Sequence, residues 1–393
     1  MTRSELCTSE RIGLLSCCDS RFLGDVMHRF ARLIGAAALV AAAASAGTAH
    51  AQDGASMVVG GTTITLGGGA QLLSLPDIDF TFVTNAKGNT VHKQTNSDLN
   101  DYGGVAVGSV ETPLGYWGGT PVTGIVSGFF ANVSDSDHRK CDSGSCTVED
   151  IVDNPNQSDR FGGKFTTKAT RDVDYWGAGA EARFGKGAEP VPDSGGYLFH
   201  MAYVGVGTDV RGIDQNNRLK VQGNIPLVKY NETLDTTYWG GFLSVGGEYN
   251  LLGYLGIGSG WGLRSLLSLR AGVYDAQTDY SGHFTGGGAN TRLGLSNDKV
   301  AFIGAATFET RKQLGARTSL SLVTDYEYYS YAPQMKYLDA DVGACGAACS
   351  GKVNKTHISD DSAFEVRTTL RLNVALGAAP TPYSEPLSSQ PLK

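Results

Sequence analysis

From Phe364 to Leu376 the chain alternates with a period of two. Phe364, Val366, Thr368, Leu370, Leu372, Val374 and Leu376 are interleaved with Glu365, Arg367, Thr369, Arg371 and Asn373. Successive side chains of an extended strand point to opposite faces, so one face here is greasy and the other carries every charge. The split recurs from Arg317 to Tyr328, with Leu320, Leu322, Thr324, Tyr326 and Tyr328 opposed to Arg317, Ser319, Ser321, Asp325 and Glu327. Trp176, Ala178, Ala180, Ala182 and Phe184 alternate with Glu181 and Arg183. Trp239, Leu243, Val245 and Tyr249 alternate with Ser244 and Glu248, and Leu263, Leu267, Leu269, Ala271 and Val273 with Arg264, Ser268 and Arg270.

Applied along the whole chain, this pattern predicts ten strands, at 62–73, 102–112, 120–133, 172–185, 196–209, 236–250, 262–275, 299–311, 316–331 and 362–376. The connections alternate between long polar stretches and short ones, the rhythm of a membrane barrel with long outer loops and short periplasmic turns. Lipid offers no partner to open backbone groups, so a membrane protein without long apolar runs must span as a closed barrel. The fold class expected is therefore all-β, an antiparallel up-and-down transmembrane β-barrel of about ten strands. A hairpin at Ile78 to Val83 would raise the count to twelve. A soluble sandwich also alternates, but its strands usually run about 5–6 residues and several here are much longer. Tyr116, Trp117, Trp176, Trp239, Trp261, Tyr328 and Tyr331, at predicted strand ends, suit interfacial aromatic girdles.

The N-terminal part reads differently. Residues 27–51 run from His28, Arg29 and Arg32 through an apolar stretch, Leu33 to Gly47, to Ala49-His50-Ala51. That order is a secretory signal peptide, cleaved between Ala51 and Gln52; a spanning helix needs about 20 apolar residues. Residues 1–26 carry Glu5, Glu10, Asp19 and Asp25 and read as lying upstream of a true start at Met27. A lipoprotein box ending at Cys17 is the rival, with only Ile12 to Leu15 as its apolar run. The barrel then occupies 52–376 and a Pro-rich periplasmic tail 377–393.

Loss of residues 1–51 takes Lys plus Arg from 32 to 27 and Asp plus Glu from 39 to 35, a net charge of −8. That balance argues against nucleic acid as a partner. Of the seven cysteines, Cys141, Cys146, Cys345 and Cys349 remain, and an even count in an exported chain reads as disulfides. Three pairings are open; the short spacings favour Cys141 with Cys146 and Cys345 with Cys349. No zinc spacing accompanies them, and no metal site or cofactor is expected.

The leader, the two-faced strands and the loop rhythm together resemble the bacterial outer-membrane β-barrel proteins, porin-like, over residues 52 to 376. Trp176-Gly-Ala-Gly-Ala-Glu-Ala-Arg183 and the later Gly-rich strands are similar to the Legionella-type pore-forming major outer-membrane proteins. The resemblance implies the cell outer membrane as location, with outer-membrane lipid, lipopolysaccharide and small polar solutes as partners. The chain departs from the usual aromatic ending of the last strand, since a Pro-rich tail follows Leu376.

Parity sends Glu181, Glu248, Glu309, Asp325, Glu327 and Glu365 inward, with Arg183, Arg264, Arg270, Arg311, Arg317, Arg367 and Arg371. Such a set lines a narrow pore for passive diffusion of small polar solutes or pairs across the lumen and plugs it. The pore is the function expected; a plugged barrel with a structural, adhesion or receptor role in its surface loops is the alternative. A hydrolase at the outer rim ranks third, and the chain is expected not to be an enzyme. It holds no G-x-S-x-G, Walker A or H-E-x-x-H pattern, and Asp137-His138 are mere loop neighbours. Asp135, Asp137 and Asp142 suit a hard cation but read as a solvated acidic loop. Gly256 to Gly262 fits no phosphate-binding fingerprint.

Overall fold

The computed structural model describes residues 61–76, 79–84, 90–95, 101–141, 147–149, 160–162, 164–185, 199–223, 228–249, 263–286, 289–336 and 357–376. Ten strands make up the main sheet: β1 (Thr63–Ser74), β4 (Asp101–Trp117), β5 (Thr120–Cys141), β8 (Phe165–Phe184), β9 (Phe199–Gly223), β10 (Val228–Tyr249), β11 (Leu263–Gly286), β12 (Ala289–Gly315), β13 (Thr318–Lys336) and β14 (His357–Ala375). They close into a ring in the order β1-β14-β13-β12-β11-β10-β9-β8-β5-β4. Every pair is antiparallel, and the ring is sealed where Thr63 meets Ala375 and Ser74 meets Phe364. All ten expected strands are present.

The extra hairpin at Ile78 to Val83 that would have raised the count to twelve falls on β2 (Asp79–Thr84) and does not join the ring. β2 pairs with β3 (Thr90–Thr95) and β6 (Thr147–Glu149), which pairs with β7 (Arg160–Gly162), in a separate small sheet. Twelve wall strands are thereby ruled out among the described residues. The larger correction concerns length. β9 has 25 residues, β11 has 24 and β12 has 27, whereas a tilted strand crosses a bilayer with about 9–11. Stretches 210–235 and 276–298, expected as loops, are mostly strand.

The outer face of the wall carries an apolar band. Leu66, Leu243, Val273, Leu322 and Leu370 are exposed on the outer face, and a broken belt of aromatic residues bounds them on each side. Tyr116 and Trp117 stand at the end with the short turns; Tyr102, Trp239 and Tyr328 stand at the other. On β10, Trp239 to Tyr249 is about the length a spanning strand needs. Tyr331, expected in a girdle, is 3% exposed and faces the lumen, because it shares the parity of Glu327 and Tyr329 on β13. Trp261 lies outside the described residues, as do residues 1–60, the tail 377–393, and the side chains of all four candidate disulfide cysteines; Cys141 ends β5.

Glycine is required locally at two places. The β4–β5 hairpin turns at Gly118 and Gly119, both at positive φ, 57° and 79°, as a tight primed turn requires. On the inner wall, a Cβ on Gly177 would lie 2.5 Å from the Phe129 ring. The bare backbone there lets a phenyl group lie flat against the wall inside the lumen.

Candidate functional site

The lumen is built in layers. Nearest the short-turn end is a chamber of about 480 Å³, lined among others by Thr65, Glu111, Glu181, Arg183, Tyr203, Glu309, Arg311 and Asn373. Its charges come as acid-x-Arg pairs two residues apart on one strand, which parity places side by side on the inner face. Arg183 donates to both oxygens of Glu181 at 3.0 Å on β8, and Arg311 Nε donates to Glu309 at 2.7 Å on β12. Arg183 also lies over the Tyr203 ring, 4.2 Å from its centroid. Glu181 accepts from Ser244, and Arg264 from β11 pairs with Glu248 from β10.

Above the chamber the same motif meets itself across the lumen. Arg211 donates from Nε and Nη2 to Asp209 at 3.0 and 2.9 Å, and from Nη1 to Glu327 on the far wall. Arg270 bridges Asp209 at 3.3 Å and Glu327 at 2.9 Å. Arg367 reaches Asp325 at 3.2 Å, Glu327 at 3.8 Å and its own neighbour Glu365 at 3.4 Å, and Arg371 donates to Asp325 at 2.7 Å. The hydroxyl of Tyr329 donates to Glu327 at 3.0 Å, and that of Tyr175 does so at 3.1 Å. Phe129 packs on Tyr175 and takes Arg367 on its face at 4.2 Å. Arg211 is 2% exposed and Glu327 4%. Charges this buried are tolerated only in such mutual contact.

A third layer is apolar. Leu73, Val133, Val173, Ile213, Tyr238, Tyr274 and Ile303 form one buried cluster, in which Tyr238 donates to the backbone oxygen of Tyr331 at 3.0 Å. Beyond it, Glu232 accepts from Asn217 at 3.0 Å and from Tyr280 at 3.3 Å. Arg171, fully buried, donates from Nη2 to the carbonyl of Pro76 at 2.8 Å, so the segment leaving β1 is tied into the lumen.

Of the thirteen residues expected inside, the structure brings Asp325, Glu327, Glu365, Arg270, Arg367 and Arg371 into the charged layer. Glu181, Arg183, Glu248, Arg264, Glu309 and Arg311 lie toward the chamber. Arg317 is a correction: it sits exposed in the short turn between β12 and β13, where its carbonyl accepts from Ala375 N at 2.8 Å. Parity fails there because the turn interrupts the strand. The sequence reading missed Asp209 and Arg211 at the centre of the layer, since it ended that strand at residue 209. Asp209-Val-Arg211 repeats the acid-x-Arg spacing of Glu181/Arg183, Glu309/Arg311 and Glu365/Arg367, and that repeat was the available signal.

Asp137 and His138 are adjacent on β5 rather than in a loop. Neighbours on a strand face opposite sides, which keeps them from acting as a dyad. Asp135 and Asp137 stand on that strand, while Asp142 and residues 256–262 lie outside the described residues.

No protein-family model and no curated protein matches the sequence. Among solved structures, the chain is similar to the outer membrane protease OmpT from Escherichia coli, at 7% identity and a TM-score of 0.42, covering 82% of this chain and 99% of that one. It is also similar to the translocator domain of the autotransporter NalP from Neisseria meningitidis, at 8% identity and a TM-score of 0.33, covering 91% and 99%. A FadL homologue of Pseudomonas aeruginosa follows, at 7% and 0.23, covering 80% and 90%. The fold is a closed, antiparallel, ten-stranded β-barrel whose outer face carries an apolar belt between aromatic residues. One expectation is corrected here. The chain was expected not to be an enzyme, yet the barrels it resembles include a protease, so the wall architecture does not set it apart from enzymes.

Proposed function

We propose that this outer-membrane barrel is closed across its midplane and serves as a rigid support for the wall it raises above the membrane. The observation that carries this reading is the charged layer. Asp209, Arg211, Arg270, Asp325, Glu327 and Arg367 are joined in one network of ion pairs that spans the lumen, with the apolar cluster stacked on it. A hydrated solute crossing there must part buried pairs, and breaking one leaves an uncompensated charge worth about 3–5 kcal/mol. Ten strands also sit near the eight-stranded size at which side chains fill the interior. The strands continuing past the girdle give the support something to display.

The competing reading is the diffusion pore, favoured by the chamber of about 480 Å³ below the network. Single-channel recording of the refolded chain in a planar bilayer separates the two. The closed reading expects a protein that shows the heat-dependent gel shift of a folded barrel, yet gives no steps. It further expects steps from the variant carrying Arg211→Ser, Glu327→Ser and Tyr329→Ala. Stable steps from the unaltered chain overturn it and restore the pore.

A further inference from the structure

At the mouth of the chamber, arginines from neighbouring strands stand in one register row. Arg264 on β11 lies directly opposite Arg311 on β12, Arg311 opposite Ser321 on β13, and Ser321 opposite Arg371 on β14. Gly67 ends the row on β1, and its missing side chain makes room for the stem of Arg371, since a Cβ there would come 2.8 Å from Arg371 Cγ. Like charges placed directly opposite one another destabilise a sheet, and each arginine is backed by an acid: Glu248 for Arg264, Glu309 for Arg311, Asp325 for Arg371. The two members of each pair are not equally placed. Arg264 is 42% exposed against 12% for Glu248, Arg311 37% against 18% for Glu309, and Arg371 23% against 9% for Asp325. Acids and bases match in number, yet the carboxylates lie against the wall and the guanidinium groups stand in front of them. The surface offered to an incoming group is cationic.

We infer that this row receives the extended, acidic end of a polypeptide entering from the short-turn side, which the barrel rhythm places in the periplasm. Position gives the direction of entry. Arg264 is the second residue of β11 and Arg311 lies four residues from the end of β12, so the row stands near the rim, with the charged layer behind it. Spacing gives the length. From Arg264 to Arg371 is three strand steps, about 14 Å along the wall, too far for one carboxylate or phosphate group to bridge; an extended chain, at about 3.3 Å per residue, covers it with about four residues. Hydrogen-bonding capacity gives the chemistry. Arg311 uses only Nε on Glu309, and among the described residues both its Nη groups are without a partner, a fork that fits a carboxylate. Glu309 accepts from Arg311 and Ser321 at Oε1 alone, which leaves Oε2 to accept, as does the exposed Glu111 of β4 that also lines the chamber. Donor fork and acceptor side by side match a peptide, which carries both carboxylates and backbone N–H groups. A polyanion without N–H groups is repelled by the same acids. The inference deepens the closed-barrel reading and rests on it in one respect, that the network is where the peptide stops.

The test measures the fluorescence anisotropy of a labelled synthetic peptide alternating glutamate and serine, titrated with the full refolded chain in detergent. The peptide is expected to bind, more weakly as salt is added. The variant R264Q/R311Q should lose on the order of a hundredfold in affinity, about tenfold for each charge-assisted hydrogen bond removed. Each of those substitutions leaves an acid behind, so E309Q/R311Q removes one pair whole. That variant should keep the heat-dependent gel shift and still lose about tenfold, whereas E309Q alone should bind at least as tightly as the unaltered chain. Undiminished binding by E309Q/R311Q overturns the inference, as does equal binding of the peptide in which glutamine replaces glutamate. Competition by free glutarate as effective as that of unlabelled peptide overturns the polypeptide and makes the row a small-anion site; equal affinity for a short polyphosphate overturns it likewise. Neither Arg264 nor Arg311 belongs to the charged layer, which keeps the two readings separable. Channel steps with peptide binding intact would overturn closure and leave this inference standing, and a silent barrel that binds no peptide would do the reverse.

Discussion

The inner wall at the midplane and the outer wall above the girdle use the same register and treat charge in opposite ways. Inside, Arg367 stands opposite Asp325, Arg211 meets Asp209 and Glu327, and where two acids, Glu327 and Glu365, stand opposite in register, Arg367 contacts both, so every like-charge pair at this level is met by an opposite charge. Outside, Lys168, Lys220 and Lys229 form a row of one sign, and Asp174, Asp214, Asp235 and Asp279 form another across β8 to β11. Burial makes the difference. An unpaired charge in the lumen costs several kcal/mol, whereas water and salt reduce the same mismatch on the outside to tenths. Pairing inside is therefore a condition of folding. Like-sign rows outside are tolerated by the fold and available to a partner.

The largest test of that contrast removes the centre of the inner network. Arg211→Ala leaves Asp209 and Glu327 buried with fewer cations, and is expected to destabilise the refolded barrel by about 3–5 kcal/mol, read from its urea unfolding midpoint. Lys220→Ala, on the outside, should shift the same midpoint by less than about 0.5 kcal/mol. Equal losses at the two positions would break the comparison.

Next in size is a steric test of the inner wall. Gly177→Val places a side chain where the Phe129 ring lies, 2.5 Å from the new Cβ. Phe129 carries Arg367 on its face, so the clash reaches the network and should cost about 1–3 kcal/mol, the usual range for overpacking. The double variant with Phe129→Ala should recover part of that loss.

These positions also show how much the sequence discloses. Parity alone placed Glu327, Asp325, Arg367 and Arg371 on one face, because strand geometry is local and has a period of two. Which of them touch is a property of ring closure, which brings β9 opposite β13 across the lumen, and no local pattern encodes that distance. The strand ends were misjudged for a related reason. Beyond the girdle the outer face of β9 and β11 turns polar, as at Asn216, Arg218, Gln277 and Asp279, so alternation of greasy and polar residues disappears while the strand continues. Arg211 was lost at that boundary. The chamber and the tie from Arg171 to Pro76 left no trace that spacing could reveal.

A smaller effect concerns the acidic row on the outside. Asp235 lies beyond Trp239, above the membrane, and partial burial followed by the neighbouring Asp214 and Asp279 carboxylates pushes its pKa up to about 6. A carboxyl group that binds its proton more tightly when folded than when unfolded destabilises the fold above that pKa. The stability it costs is regained as pH falls from about 6 toward 4. Because the group is half exposed, screening holds the gain below about 1 kcal/mol. Urea midpoints of the unaltered chain and of Asp235→Asn, compared at pH 7 and pH 5, isolate it: the variant should lose this increment of the pH response. An unchanged response would assign it to other groups.

The smallest effect is a gain in stability. Lys220 has a lysine on either side, so Lys220→Glu converts two repulsive cross-strand neighbours into attractive ones. Opposite charges in such positions contribute about 0.2–1 kcal/mol each, and exposure places the sum at the low end. A slightly higher urea midpoint is the expected outcome. It would mean that the row is kept at a small cost to stability, which a sheet optimised for itself would not bear. A lower midpoint would show instead that the lysines already find compensation within the chain, and the contrast between the two walls would be one of solvent exposure alone.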